Sequence, residues 1–334
     1  MNSISVIGAG AWGTALAKVL GDKGEDVVLW ARHEELAREI TGARENARYL
    51  PGIRLPDGVR VTASLREALE GRSIVVLVVP SHALREVLRA ARPHIEPDAV
   101  FVSATKGIEN ETLMLMGEVV ADVLGPGAGD RLTVLSGPSF AKEVALGFPT
   151  NIVVASTNEA VCLEIQRTFA TDRLRVYSSD DPAGVEVGGA LKNVVAIAAG
   201  ACDGLGFGHN TRAALITRGL AEIARIAIAK GGNVLSLAGL AGMGDLVLTC
   251  TGELSRNRTV GFEMGRGKPL DVVLASLGHV AEGVKTAKSA HDLAEKLGVE
   301  LPICEQVYQV LYEGKSARQA VQDVLTRPLK KEWQ

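Results

Sequence analysis

Ser3-Ile4-Ser5-Val6-Ile7-Gly8-Ala9-Gly10-Ala11-Trp12-Gly13-Thr14-Ala15-Leu16-Ala17-Lys18-Val19-Leu20 opens the chain with a strand-like run, a Gly-x-Gly-x-x-Gly loop and a helical pattern in direct succession. Glycines mark turns anywhere, so the loop alone is a weak signal; its place between a strand and a helix makes it a dinucleotide-binding motif. In that setting Gly8 permits the tight turn and Gly10 lets backbone approach a pyrophosphate. Gly13 lets helix and strand pack closely, with the phosphate held at the helix N-terminus.

Working outward, Val27–Trp30, Ile74–Val79, Val100–Ala104, Leu132–Ser136, Ile152–Ala155 and Leu174–Tyr177 read as further buried strands alternating with helical patterns. Such alternation predicts an α/β fold: a Rossmann-like, doubly wound, largely parallel sheet with ligands beyond the carboxyl ends of its strands. At Ser178-Ser179-Asp180-Asp181-Pro182 the pattern changes, because an Asp cap followed by proline starts a helix. Helical periodicity then runs over Thr211–Lys230, Gly283–Leu297 and Pro302–Tyr312. The boundary is placed there: 1–179 as an NAD(P)-binding Rossmann domain, 180–334 as an all-helical substrate and catalytic domain.

A length of 334 residues suits about two such domains. With 36 basic against 39 acidic residues, 4% aromatics and no basic block, the chain has no footprint for nucleic acid. Cys162, Cys202, Cys250 and Cys304 are scattered without a Cys-x-x-Cys pair, which argues against zinc or a disulfide framework and fits a reducing cytoplasm. His82, His94, His209, His279 and His291 show no ligand spacing and read as surface or structural, so no metal is expected. The N-terminus lacks the flank and cleavage site of a signal peptide. The longest apolar run is interrupted by Lys192, Asn193, Asp203 and glycines, so no integral membrane segment is expected. A homodimer is left open as the assembly.

Lys192 is the only cation in the apolar stretch Val187 to Gly200. Desolvation lowers a lysine's pKa, which suits proton transfer near neutral pH; the other reading is a lysine snorkelling to solvent. Asp245 lies in another apolar setting, four residues from Thr249 on one helix face, and is the obvious partner for Lys192, as catalytic pair or as plain salt bridge. After the second strand Arg32 follows Ala31, where an arginine accommodates a 2′-phosphate; NADP(H) is then accepted, with NAD(H) not excluded. Lys106, Gly137 and Ser139 follow strand ends on the ligand side, with Pro138 priming a helix start, or serve only as loop and cap. Ser255 caps a helix whose first turn presents Arg256 and Asn257, an anion pocket or an ordinary N-cap.

Taken in order, Gly8 to Gly13, Lys106-Gly107, Ser136-Gly137-Pro138-Ser139-Phe140-Ala141-Lys142-Glu143, Leu191-Lys192-Asn193, Gly239 to Thr251, Ser255-Arg256-Asn257 and Val280-Ala281-Glu282-Gly283 resemble the NAD(P)-dependent glycerol-3-phosphate dehydrogenases of bacterial type. The resemblance implies a 6-phosphogluconate dehydrogenase C-terminal-like helical domain, and reversible reduction of dihydroxyacetone phosphate to sn-glycerol 3-phosphate for phospholipid synthesis. It implies NADP(H) or NAD(H) bound by Gly8, Gly10, Ala11, Trp12, Gly13, Arg32, His33, Lys106, Ala141, Arg256, Val280 and Glu282. A small phosphorylated three-carbon substrate would meet Lys106, Gly137, Ser139, Lys192, Asn193, Asp245, Thr249, Ser255, Arg256 and Asn257. Lys192 then looks like the proton donor and acceptor, oriented by Asp245 and Asn193, while Arg256 and Asn257 hold the phosphate. Ala11 departs from the serine usual after the second glycine, which removes one hydroxyl contact. A β-hydroxyacid dehydrogenase or ketopantoate-type reductase would share the two domains and the lysine but lack Ser255-Arg256-Asn257 with Lys106. A nucleotide-sensing module would leave Lys192 and Asp245 unexplained, and a structural protein would need neither domain's motifs.

Overall fold

Eight strands form one sheet in the computed structural model, which describes residues 2–277, 281–329 and 331–332. They are β1 (Ser3–Ile7), β2 (Asp26–Trp30), β3 (Arg60–Thr62), β4 (Ile74–Leu77), β5 (Val100–Ser103), β6 (Leu132–Ser136), β7 (Thr150–Ala155) and β8 (Leu174–Ser179), in the order β3-β2-β1-β4-β5-β6-β7-β8. Every pairing is parallel except β6 with β7. The expected α/β class is thus the one observed. The alternation missed β3, a three-residue edge strand that begins with exposed Arg60, too short and too polar to stand out.

Period-two side chains explain why the central runs are apolar throughout. Ile4 and Val6 enter one buried layer with Leu16 and Leu20, while Ile7 enters the other with Val75, Leu77 and Phe101. With both faces covered, the central strands need no polar side, whereas edge strand β8 alternates, with Arg175 and Tyr177 exposed. Since β1 lies between β2 and β4, connections leave it in opposite directions, and the crevice beyond its carboxyl end is where such sheets take a ligand.

Around the sheet and the site lie α1 (Ala11–Asp22), α2 (Pro182–Gly204), α3 (His209–Ala229), α4 (Asp245–Thr251), α5 (Arg256–Gly265), α6 (Glu282–Leu297) and α7 (Pro302–Tyr312). Asp181 caps α2 as its sequence requires, accepting from the Gly184 N–H at 2.9 Å with Pro182 at the first helical position. By length and composition α2 could cross a membrane, contrary to the interrupted run expected; instead, 94% of its apolar window is buried inside the protein. Helices α3, α4, α5 and α6 surround it.

Two local features differ from expectation. Pro138 does not start a helix: the short helix there is Ala141–Ala145, capped by Phe140 without a side-chain bond, and the Ser139 hydroxyl donates to the Gly137 carbonyl at 2.9 Å. Before α4 the chain makes a π turn over Leu240–Gly244, with the Gly244 N–H bonded to the Gly239 carbonyl at 3.1 Å. Such wide turns re-aim the residues that follow, here Asp245 at the start of α4.

Candidate active site

The glycine loop meets three different steric demands. Gly8 has φ +126°, and a Cβ there would lie 2.6 Å from the Val78 carbonyl oxygen; one on Gly13 would lie 1.9 Å from that of Gly8. A Cβ on Gly10 would meet nothing within 4 Å. The protein's own packing therefore does not demand a glycine at Gly10, and the space beside it leaves room for a ligand. Gly10 caps α1 without a side-chain bond, and no acid occupies the first turn, so the helix's first N–H groups stay available to an anion. Buried Asn46, which no sequence signal marked, holds the loop by donating to the Ala9 carbonyl at 2.9 Å and the Thr14 hydroxyl at 2.8 Å. These residues fit a dinucleotide.

From this loop an open cleft of about 980 Å³ runs between the sheet and the helices. Of the residues singled out in the sequence, Gly8, Gly10, Ala11, Trp12, Gly13, Arg32, His33, Lys106, Ser139, Ala141, Lys192, Asn193, Thr249, Ser255, Arg256, Asn257 and Glu282 line it. Gly137 and Asp245 do not: Gly137 packs against β7, where its added Cβ would lie 3.0 Å from the Ile152 Cα, and Asp245 sits behind the wall, 1% exposed. Val280 falls outside the described residues.

Lys192 does not snorkel. It is 6% exposed, and its ammonium pairs with Asp245 Oδ1. The other carboxylate oxygen, Oδ2, accepts from Lys106 Nζ at 3.0 Å. Sequence reading gave Lys106 to the cofactor and the substrate and did not foresee this second cation on Asp245. Thr249 Oγ1 donates to the Asp245 carbonyl at 2.6 Å, across one turn of α4. Burial pushes the Lys192 ammonium well below its ordinary value, to about 7, with the Asp245 carboxylate opposing and the Lys106 charge assisting that fall. Burial works against the Asp245 carboxylate too, but the two lysines outweigh it and hold its pKa below the usual range. The site therefore keeps a firm anion beside a lysine poised to exchange a proton.

Asn193 does not orient the ammonium as expected. Its Oδ1 accepts from Asn257 Nδ2 at 2.9 Å, and Asn257 Oδ1 accepts from the Gly283 N–H at 3.0 Å, joining α2, α5 and α6. Ser255 caps α5, its hydroxyl accepting from the Arg258 N–H at 3.3 Å. Arg256 is exposed and makes no ion pair among the described residues, so its guanidinium faces the cleft uncommitted apart from the charge of Glu282, which lies beyond ion-pair distance. Three contributors were not foreseen. Ser81 Oγ donates to Glu282 Oε2 at 2.9 Å, linking the segment after β4 to the start of α6. His82, read as surface or structural, lines the cleft with Lys285; burial lowers its pKa, and the charges of Lys285 and Arg32 lower it further. No group of three or more metal-ligating side chains occurs among the described residues.

Comparison with known proteins agrees with this geometry. The family description NAD-dependent glycerol-3-phosphate dehydrogenase N-terminus matches residues 3–162, and its C-terminus counterpart matches residues 181–322. The chain is 56% identical over 329 residues to glycerol-3-phosphate dehydrogenase [NAD(P)+] of Geobacter sulfurreducens, and 54% identical over 329 residues to that of Citrifermentans bemidjiense, covering 98% of each chain in both cases. Among solved structures, glycerol-3-phosphate dehydrogenase from Coxiella burnetii superposes with TM-score 0.94 at 41% identity, over 98% of this chain and 99% of that one. A ketopantoate reductase from Ralstonia eutropha, 16% identical with TM-score 0.59 over 95% of this chain and 99% of its own, shares the fold alone. On a match that spans both halves of the sequence, the chain belongs to the NAD-dependent glycerol-3-phosphate dehydrogenase family.

Proposed function

We propose that the protein reversibly reduces dihydroxyacetone phosphate to sn-glycerol 3-phosphate with NADPH or NADH, in the cytoplasm, supplying glycerol 3-phosphate for phospholipid synthesis. The observation that carries the reading is a buried Lys192–Asp245 pair at the wall of a cleft that also holds a dinucleotide loop and the uncommitted Arg256. Residues 1–179 would bind the cofactor and 180–334 supply the substrate site.

When bound, the nicotinamide supplies hydride to the C2 carbonyl carbon. Lys192 donates a proton to the oxygen as negative charge develops there, and in reverse its neutral amine removes the hydroxyl proton. Asp245 keeps the lysine in place, and Lys106 shares that carboxylate while still reaching the cleft wall. Arg256, with the free N–H groups of the first turn of α5, takes the phosphate, and Asn257 and Ser255 shape that turn. Ser139, at the cleft wall, completes the substrate side, with Gly137 behind it against β7. Gly8, Gly10, Ala11, Trp12, Gly13, His33, Ala141 and Glu282 would hold the cofactor, with Arg32 placed for a 2′-phosphate.

Initial rates with NADPH and NADH side by side on dihydroxyacetone phosphate test this. Both cofactors should be oxidised; absence of absorbance loss across neutral pH with either would end the proposal. Lys192→Ala should lower turnover by about 10²–10⁴-fold while cofactor affinity is kept. Equal loss of both would make the lysine structural.

A further inference from the structure

A second buried ionic cluster lies on α2, away from the cleft. The Asp203 side chain, 5% exposed, receives two arginines: Arg258 through Nε at 3.0 Å and Nη2 at 2.7 Å on Oδ2, and Arg212 through Nε at 2.9 Å on Oδ1. Neither Asp203 nor its arginines line the cleft. Desolvating such a group costs about as much as its attractions return, so net stability is a poor reason for having it, and fixing one arrangement of the chain is a better one.

What it would fix is visible in the helices it joins. Arg258 is the third residue of α5, directly after Ser255, Arg256 and Asn257. Asp203 follows Lys192 by eleven residues on α2, close to three whole turns, so both project from nearly the same face about 16 Å apart. Between them α2 and α5 touch backbone to backbone: a Cβ on Gly200 would lie 1.9 Å from the Arg258 carbonyl oxygen, and one on Gly261 1.9 Å from that of Ile197. Glycine contacts set how near two helices come but offer few side-chain knobs to set how one slides or turns along the other. A forked guanidinium on a buried carboxylate does set that, because both N–H groups must find the same oxygen.

We infer that Asp203 is a positioning residue: through the fork of Arg258 it sets where the first turn of α5 stands relative to Lys192, and so where the substrate's phosphate is held relative to its carbonyl. The inference rests on the reaction proposed above. Binding energy from a remote phosphate speeds reaction only when the anchor stands at the right distance from the reacting atoms.

The test compares two substrates, dihydroxyacetone phosphate and dihydroxyacetone, which lacks the anchor. In Asp203→Asn, kcat/KM for dihydroxyacetone phosphate should fall by roughly 10- to 10²-fold. That for dihydroxyacetone should stay within about twofold, the tolerance for independent sites. Arg258→Lys keeps the charge without the fork and should show the same selective loss; it decides the matter if Asp203→Asn does not fold by circular dichroism. Arg212→Lys, altered on α3 at the other carboxylate oxygen, should lower the melting temperature without selectivity. Parallel loss on both substrates, or no loss, would overturn the positioning role. A wild-type protein inert toward dihydroxyacetone phosphate would instead overturn the proposed reaction.

Discussion

At Gly10, the open space around an added Cβ and the ordinary backbone angles, φ −74° and ψ −179°, lead to a sharp expectation. Gly10→Ala should fold with an unchanged or slightly raised melting temperature, since alanine costs the unfolded chain some freedom and nothing in the native protein obstructs it. Its NADPH dissociation constant, measured by titration, should rise at least about tenfold, or roughly 1.4 kcal/mol. Unaltered affinity would show that the space does not serve the pyrophosphate. The loop was legible in the sequence because the positive φ of Gly8 and the closeness of Gly13 to the Gly8 carbonyl are set within a few residues of strand, turn and helix, although Gly8 also packs on distant Val78. Asn46, which braces the same loop, was not: its bonds to Ala9 and Thr14 cross more than thirty positions, and an asparagine in a loop carries no local mark.

Among the elements, α2 is the organising piece. Its N-cap and apolar content were readable, yet the reason for Gly200 and Gly204 was not, because that reason lies on α5. Gly200→Ala places a methyl 1.9 Å from a backbone oxygen that cannot step aside, so the helices must part. We expect a loss of about 1–3 kcal/mol in urea unfolding. The same change at Gly42, near the end of helix Glu34–Ala43 with nothing within 4 Å, should instead add up to about 1 kcal/mol through helix propensity. Equal effects at the two sites would remove the packing explanation. The π turn before α4 and the antiparallel pairing of β7 escaped sequence reading for a related reason. Periodicity reports which residues are buried, but not how many residues a turn spans or which way a neighbouring strand runs.

At the scale of the whole molecule, the proposed chemistry sits where three distant segments meet: Lys192 from α2, Asp245 from α4 and Lys106 from the loop after β5. Burial lowers the Lys192 pKa to about 7, against a usual 10.5, so in the free enzyme the ammonium is lost as pH rises through 7. In the proposed reaction reduction needs that ammonium, and kcat/KM for dihydroxyacetone phosphate should fall on the alkaline side of about pH 7. Oxidation of glycerol 3-phosphate needs the neutral amine and should rise over the same range. Removing the second cation in Lys106→Met should move both midpoints upward, because its charge helps to lower the Lys192 pKa. Midpoints that stay in place, or profiles of the same sign in the two directions, would contradict Lys192 as the titrating group.

The amino-acid sequence by itself determined the doubly wound sheet, the dinucleotide loop, the helical second half and the candidate residues Lys192, Asp245 and Arg256. Those are written in short-range spacing and in the anomaly of a charge among apolar neighbours. Tertiary structure alone decided that Asp245 serves two lysines, that Asn193 braces Asn257 rather than the ammonium, and that Asp203 grips Arg258. The reason is physical: a charge or an amide can be recognised locally as needing a partner, but several partners were chemically eligible. Which one it meets depends on helix ends that only the packed fold brings within hydrogen-bonding distance.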